Sequence, residues 1–163
     1  DDDVGAPPHK VGEYQITGRG GQTLEDRWQG NFRSLHGTQF SGFPNLHLIG
    51  GTLEGTTAFN FTHTLLMQAE HAAEIIADCL SKAVKLLEET PEAEHQWHDL
   101  VKAKHVDHSR FYEECTPGFL NNEGQFADKP TYVGGTYGGG PLEYEQLIRT
   151  WRRSQMHKDV VIR

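Results

Sequence analysis

The sequence contains little cysteine, no cluster of positive charge and no long apolar run. Its two cysteines, Cys79 and Cys115, are too few for the disulfide framework of a small secreted domain, so we expect a reducing, cytoplasmic compartment. The net charge of −8 argues against a nucleic-acid-binding surface. No apolar run approaches the roughly 20 residues that a membrane-spanning helix needs.

Two common nucleotide-binding motifs are also absent. Neither the G-x-G-x-x-G fingerprint nor the P-loop pattern occurs, and this excludes the usual phosphate-binding turns from the chain. The chain begins with Asp1-Asp2-Asp3 rather than with methionine, so we expect it to be a piece of something longer.

What the sequence does contain is sufficient for one domain with a core, since 36% of its 163 residues are hydrophobic. The chain is organised around residues 42–80. Leu46–Ile49 is a short apolar run bounded by turn residues, which is typical of an interior strand of an α/β sheet. Gly50 and Gly51 then allow a sharp turn or a close approach to a ligand.

A long helix is predicted after this turn, from about Asn60 to about Glu89. Thr56, Thr57 and Asn60 are all suitable N-caps for it. A glycine turn that leads into a helix N-terminus is a suitable place for an electron-rich ligand, because free N–H groups and the positive end of the helix dipole point there. From the residues alone, tight packing between strand and helix is the favoured explanation of the two glycines.

The whole chain divides into three predicted regions. Residues 1–22 form a linker, residues 23–90 carry the strand and long helix, and residues 91–163 form a helical, loop-rich extension. Within the extension, the patterns predict a helix over 91–112 with Thr90 as N-cap and a closing helix over 142–153 with Leu142, Leu147, Ile148 and Trp151 directed inward. Val160–Ile162 is too short to interpret.

Four histidines lie in the first of these helices, in two H-x-x-H pairs. With Glu113, Glu114 and Cys115 nearby they suggest a metal site. Nothing in the sequence completes a closed coordination shell, and surface histidines on a polar helix give the same pattern, so no metal is predicted. The histidines are His95, His98, His105 and His108.

Several segments occur together in a characteristic order along the chain. They are GGQTL with Trp28 and His36-Gly37, GFPNLHLIGG with a helix carrying Gln68, Glu70 and His71, and CTPGFLNNEGQ through KPTYVGGTYGGGPLEYEQLIRTWR. In this order they resemble the C-terminal, flavin-binding portion of type I Baeyer–Villiger monooxygenases. NNEG and GGGPLEY resemble the branch that acts on bulky, cyclic or polycyclic ketones. The family's two G-x-G-x-x-G fingerprints and its FxGxxxHxxxWP signature are missing, and Thr116-Pro117-Gly118 stands where many members have a tryptophan.

The resemblance implies an α/β chain that forms the C-terminal part of a three-layer, Rossmann-like FAD-binding domain. The intact enzyme uses FAD and NADPH to insert one oxygen atom from O2 next to a ketone carbonyl, which gives an ester or lactone. The implied partners are the N-terminal remainder of the same enzyme, a small-molecule ketone and O2. No catalytic residue is expected in this portion, and this portion alone is expected to be inactive.

The resemblance also implies roles for individual residues. Those expected to contact cofactor are Gly50, Gly51, Thr52, Thr57, Asn60 and Lys129. Those expected to line the substrate pocket are Leu53, Ala58, Phe59 and Phe61, although ordinary core packing explains these side chains about as well. Two other functions stay open, a non-catalytic α/β interaction module and a flavin monooxygenase that oxidises nitrogen or sulfur.

Overall fold

The computed structural model describes residues 14–29, 33–50, 54–55, 60–106, 110, 114 and 136–163. After a short 3-10 turn at Arg19–Gly21, the regular elements follow in chain order. They are α1 (Leu24–Gln29), α2 (Phe61–Ser81), β1 (Leu87–Glu89), α3 (Pro91–Lys104), α4 (Pro141–Ser154), α5 (Met156–Asp159) and β2 (Val160–Ile162). None of the helices in these ranges has the length and apolarity needed to cross a membrane.

Helix α2 begins where the sequence predicted. The Asn60 side chain accepts a hydrogen bond from the Thr62 N–H at 2.9 Å and so caps the first turn. The predicted end at Glu89 is wrong, because α2 stops at Ser81. Ala83 has a φ of +56°, a left-handed conformation that ends the helix, and the chain then becomes extended.

Residues 87–89 form strand β1 instead of the last helical turn. They pair antiparallel with β2, with Leu87 opposite Ile162 and Glu89 opposite Val160. The partner strand lies at the other end of the chain, so no local pattern could reveal it. The apolar spacing around Leu87 fits a helix and a strand about equally, and long-range pairing decides between them.

The predicted strand at Leu46–Ile49 is also wrong for this chain. Within the run, the Leu48 N–H donates to the Thr38 carbonyl in a loop at 2.7 Å, and only the preceding residue, Asn45, donates its N–H to β1, at the Leu87 carbonyl at 2.9 Å. A strand requires a neighbouring strand on which to form a ladder. The described ranges supply none beside residues 46–49.

The main core lies where α2, α3 and α4 meet. Its largest members come from all three helices and from the loop before α2, and they include Trp97, Tyr144, Ile148 and Trp151, each at most 5% exposed. The predicted inward positions of Ile148 and Trp151 are therefore confirmed. Leu142 was predicted inward but is 78% exposed, because it occupies the first turn of α4, beyond the edge of the core.

Helix α2 has two contrasting faces. The face packed against α4 is largely polar, with Thr64, Gln68 and His71 almost fully buried beside Met67 and Ile75. The opposite face carries an apolar row at helical spacing, which we call the α2 apolar stripe. Its members are Leu66, Ala69, Ala73, Ile76 and Leu80, all of them exposed to solvent in this chain.

Helix α3 starts as predicted, with Pro91 in the first turn and the Thr90 hydroxyl accepting the Ala93 N–H at 3.2 Å. It ends at Lys104, earlier than the predicted residue 112. Its buried side is formed by Ala93, Glu94, Trp97, His98 and Val101. Helix α3 therefore inserts a carboxylate and an imidazole, as well as apolar groups, into the interior.

Replacing Thr90 with Ala should lower the free energy of unfolding by about 1 kcal/mol, because an N-cap acceptor is lost. Denaturant unfolding of the folded protein measures this loss. Thr150→Ala is the matched control, since Thr150 is exposed within α4 and alanine favours helix there. Equal losses in the two variants would contradict the capping role of Thr90.

Candidate cofactor-binding site

The predicted ligand-binding loop, residues 50–60, is described at both of its ends. Gly50 has a φ of +95°, which favours glycine, and its N–H donates to the Gln68 side-chain oxygen at 2.8 Å. Asn60 is exposed and caps α2. The first residues of α2 are exposed and include no acidic side chain. This end of the helix thus remains open to an electron-rich group.

Phe61 is the first residue of α2 and is 56% exposed, so it is not part of the core of this chain. The other residues with predicted roles lie outside the described residues. They are Gly51, Thr52, Leu53, Thr57, Ala58, Phe59 and Lys129. Of the ten residues with predicted roles, Gly50, Asn60 and Phe61 are among the described residues. The roles given to all ten stay predictions.

Glu54, in the middle of this loop, is an anchor that the sequence did not reveal. Its side chain is fully buried and its backbone has a φ of +56°. One carboxyl oxygen accepts the N–H of Ser34 and, at 3.2 Å, the Ser34 hydroxyl. The other carboxyl oxygen pairs with Nδ1 of His98, whose side chain is 5% exposed. Burial raises the pKa of Glu54 even though these partners oppose the shift.

The backbone beside Glu54 is held as firmly as its side chain. The Trp97 indole N–H donates to the Glu54 carbonyl at 2.7 Å, and the Tyr137 N–H donates to the Gly55 carbonyl at 2.7 Å. The Trp97 and Tyr137 rings are stacked, with centroids 5.5 Å apart. We call these contacts the Glu54 clamp; they attach the loop to residue 34, to α3 and to the segment before α4.

A second buried polar group lies beneath the loop, between α2 and α4. Arg152 donates to Nδ1 of His71 at 2.6 Å, and Nε2 of His71 lies 3.2 Å from Nδ1 of His36. Because a guanidinium can only donate, His71 must carry its proton on Nε2 and donate it to His36. Arg152 also pairs with Glu74 at 2.6 Å. The tautomers of both imidazoles are thereby defined.

The two imidazoles are kept neutral by their surroundings. Burial and the positive charge of Arg152 lower the pKa of His36 to about 3. Burial, followed by the electrostatic effects of His36, Arg152 and His47, lowers the pKa of His71 well below its ordinary value. The His36 ring also lies edge-on to Trp97 and Trp151, with both centroid distances 4.8 Å. These histidines have structural roles near neutral pH.

The histidine pairs of α3 separate in the structure. His95 is exposed and lies 3.5 Å from Asp99, whereas His98 is buried against Glu54. Within the described residues, no group of three or more histidine, cysteine or acidic side chains is placed to bind a metal. Helical periodicity places His98 on the same side as Trp97 and Val101, and this was the available signal for its burial. No local signal marked Glu54 as its partner.

Comparison with known proteins identifies relatives along nearly the whole chain. A Baeyer–Villiger monooxygenase of Streptomyces coelicolor is 36% identical over 155 residues, which is 94% of this chain and 25% of the relative. Pentalenolactone D synthase of Streptomyces exfoliatus is 32% identical over 86% of this chain and 24% of its own length. The chain belongs to the Baeyer–Villiger monooxygenase family. No family model matches the sequence.

Solved structures of Baeyer–Villiger monooxygenases and related enzymes share the fold. A polycyclic ketone monooxygenase from Thermothelomyces thermophila superposes with a TM-score of 0.79, at 30% identity, over 96% of this chain and 25% of that chain. A steroid monooxygenase bound to NADP superposes with a TM-score of 0.69 at 22% identity and supports the fold alone. The α/β class is confirmed. The chain spans about a quarter of the length of these relatives.

Acid should destabilise this member of the Baeyer–Villiger monooxygenase family through its neutral histidine pair. The folded-state pKa of His36, about 3, is below the ordinary value of 6.5, so the unfolded chain binds the extra proton first as the pH falls. We expect up to about 1.4 kcal/mol of stability to be lost per pH unit between these values.

Denaturant unfolding at several pH values measures this slope. His36→Asn is the comparison variant, because asparagine tolerates the positive φ of +58° at this position and does not titrate. The variant should show a shallower decline below pH 6.5. Identical slopes in the two proteins would exclude His36 as a source of acid sensitivity.

Proposed function

We propose that this chain forms part of an FAD- and NADPH-dependent monooxygenase that inserts one oxygen atom from O2 beside a ketone carbonyl and yields an ester or lactone. The carrying observation is the 36% identity to a Baeyer–Villiger monooxygenase along 94% of the chain. The name of an FAD-binding monooxygenase of Hypomyces subiculosus, which is 31% identical over 86% of this chain, supports FAD, and the resemblance to the family implies NADPH. No catalytic residue is assigned to this portion.

The described part of the loop is compatible with flavin. Gly50 has no side chain, and the N-terminus of α2 is exposed without a nearby acidic residue. Reduced flavin carries negative charge, which a helix N-terminus stabilises. Bound FAD, once reduced by NADPH, supplies the oxygen-activating chemistry. The task of this chain is to hold the cofactor edge and to exclude water around it.

Individual residues receive roles on this basis. Gly50, Gly51, Thr52, Thr57 and Asn60 contact the flavin, and Lys129 contacts NADPH. Leu53, Ala58, Phe59 and Phe61 form one wall of the ketone pocket. The 56% exposure of Phe61 beside the loop is compatible with this placement.

The proposed substrate is a bulky cyclic or polycyclic ketone. The support comes from the polycyclic ketone monooxygenase of Thermothelomyces thermophila, which is 30% identical over 96% of this chain.

The proposed division of the chain is a linker at 1–22, the end of the FAD-binding domain at 23–90 and an extension at 91–163. The cytoplasm is the proposed compartment, supported by a cysteine content of two and by the free thiol of Cys79.

The remainder of the enzyme, which carries the dinucleotide-binding motifs, is the proposed partner. The α2 apolar stripe supports this assignment, because it is an exposed apolar face on a helix whose other, largely polar face is already buried. Ala69 and Ala73 in its centre allow a sheet to approach closely. Burial of Leu66, Ile76 and Leu80 would stabilise the contact by about 1.5–3 kcal/mol for each side chain.

A visible absorption spectrum tests the proposed function. The chain is measured alone and together with the polypeptide that carries the dinucleotide-binding motifs. A flavin spectrum in the combined sample, followed by NADPH-dependent conversion of a cyclic ketone to a lactone, is the expected result. Absence of flavin from both samples would favour a non-catalytic interaction module, whereas oxidation of amines or sulfides without lactone formation would favour a different flavin monooxygenase.

Ala73→Glu should disrupt the proposed contact with the rest of the enzyme, because a charge would enter the centre of the α2 apolar stripe. The flavin-to-protein ratio of the purified enzyme should fall by about tenfold or more. Glu70→Ala is the control, since Glu70 is an exposed polar position on the same helix. Full flavin content in Ala73→Glu would contradict the proposal that the stripe contacts the rest of the enzyme.

A further inference from the structure

The Glu54 clamp lies inside the loop to which the proposed function assigns flavin contact. Glu54 comes four residues after Gly50 and six before Asn60. Its carboxyl oxygens bind Ser34 and His98, and its carbonyl binds the Trp97 indole. From these contacts we infer that Glu54 and His98 are positioning residues that hold the loop in its cofactor-binding conformation. The inference rests on the proposed function and adds two residues to its site.

The chemistry of the clamp is unusual for a simple packing contact. A carboxyl group is costly to bury, and a non-glycine residue at a positive φ is strained. Both occur at Glu54, which is fully buried with a φ of +56°. Such strain persists only where the surroundings over-determine the conformation. Here the surroundings are three chain segments far apart in sequence, which converge on Glu54 and Gly55.

A second anchor holds the start of the same loop. The Gly50 N–H donates to the side-chain oxygen of Gln68, on the buried face of α2, at 2.8 Å. Helix α2 therefore restrains the start of the loop, and α3 restrains its middle. A cofactor edge between Gly50 and the N-terminus of α2 would meet a backbone that is anchored at Gly50 and at Glu54 and Gly55. Preorganisation of this kind reduces the entropy that binding must overcome.

The test uses the whole flavoenzyme and compares variants that differ by one hydrogen-bonding group. His98→Leu removes the imidazole that pairs with Glu54, whereas His98→Asn keeps a polar group close to the position of Nδ1. Trp97→Phe removes the donor to the Glu54 carbonyl and keeps an aromatic ring against Tyr137. His105→Leu is the matched control, because His105 is exposed at the end of the same helix.

Two properties are measured well below the unfolding temperature of each variant: the dissociation constant of FAD, and the absorption fine structure of the bound flavin at saturating FAD. We expect about tenfold weaker binding for His98→Leu and about fivefold for Trp97→Phe. Both should show a changed spectrum. His98→Asn and His105→Leu should keep the affinity within about twofold and the spectrum unchanged.

The outcomes separate the clamp from the proposed function. The wild-type enzyme could bind flavin while His98→Leu and Trp97→Phe keep its FAD affinity and flavin spectrum. That result would overturn the positioning role and leave the proposed function in place. A loss of thermal stability with an unchanged bound-flavin spectrum would also overturn the positioning role, because the contacts would then stabilise the fold without orienting the loop toward flavin. If His98→Leu does not fold, Trp97→Phe decides. Wild-type enzyme without flavin would overturn the proposed function and this inference with it.

Discussion

The buried carboxyl of Glu54 is the constraint around which the described structure is arranged. Its partners come from the loop at Ser34 and from α3, and the adjacent carbonyls bind Trp97 and Tyr137. A buried carboxyl without partners would be strongly destabilising. Its burial therefore requires all these segments to be in place together, so the loop before α2 and helix α3 are expected to become ordered cooperatively.

The rest of the interior follows the same principle of satisfied polar groups. His36, His71 and Arg152 form a chain of hydrogen bonds between a loop, α2 and α4, enclosed by the Trp97 and Trp151 rings. This interior is more polar than a core of equal size made of leucine and valine. A polar interior of this kind specifies one arrangement of the helices, because hydrogen bonds are directional and permit fewer alternative packings than apolar contacts do. A loop that must present its backbone to a cofactor benefits from such a base.

The polar interior also explains the unequal faces of α2. The face toward α4 is used for hydrogen bonding by Gln68 and His71, and the apolar stripe lies on the opposite side. In a chain that spans about a quarter of its relatives, an exposed apolar row is consistent with a surface that a larger enzyme covers. The same reasoning applies to residues 46–49, whose apolar side chains suit a strand but whose backbone lacks a neighbouring strand among the described residues.

The sequence by itself determined what depends on neighbouring residues. It located the cap at Thr90, included Asn60 among three candidate caps of the long helix, and indicated the closing helix, the burial of Ile148 and Trp151, and the resemblance to Baeyer–Villiger monooxygenases. Capping, periodicity and motif order are local signals. Only the tertiary structure decided that residues 87–89 pair with 160–162 and that Glu54 meets His98. Each of these depends on two segments far apart in the chain, and the free energy of pairing them exceeds the weak local preference of either segment.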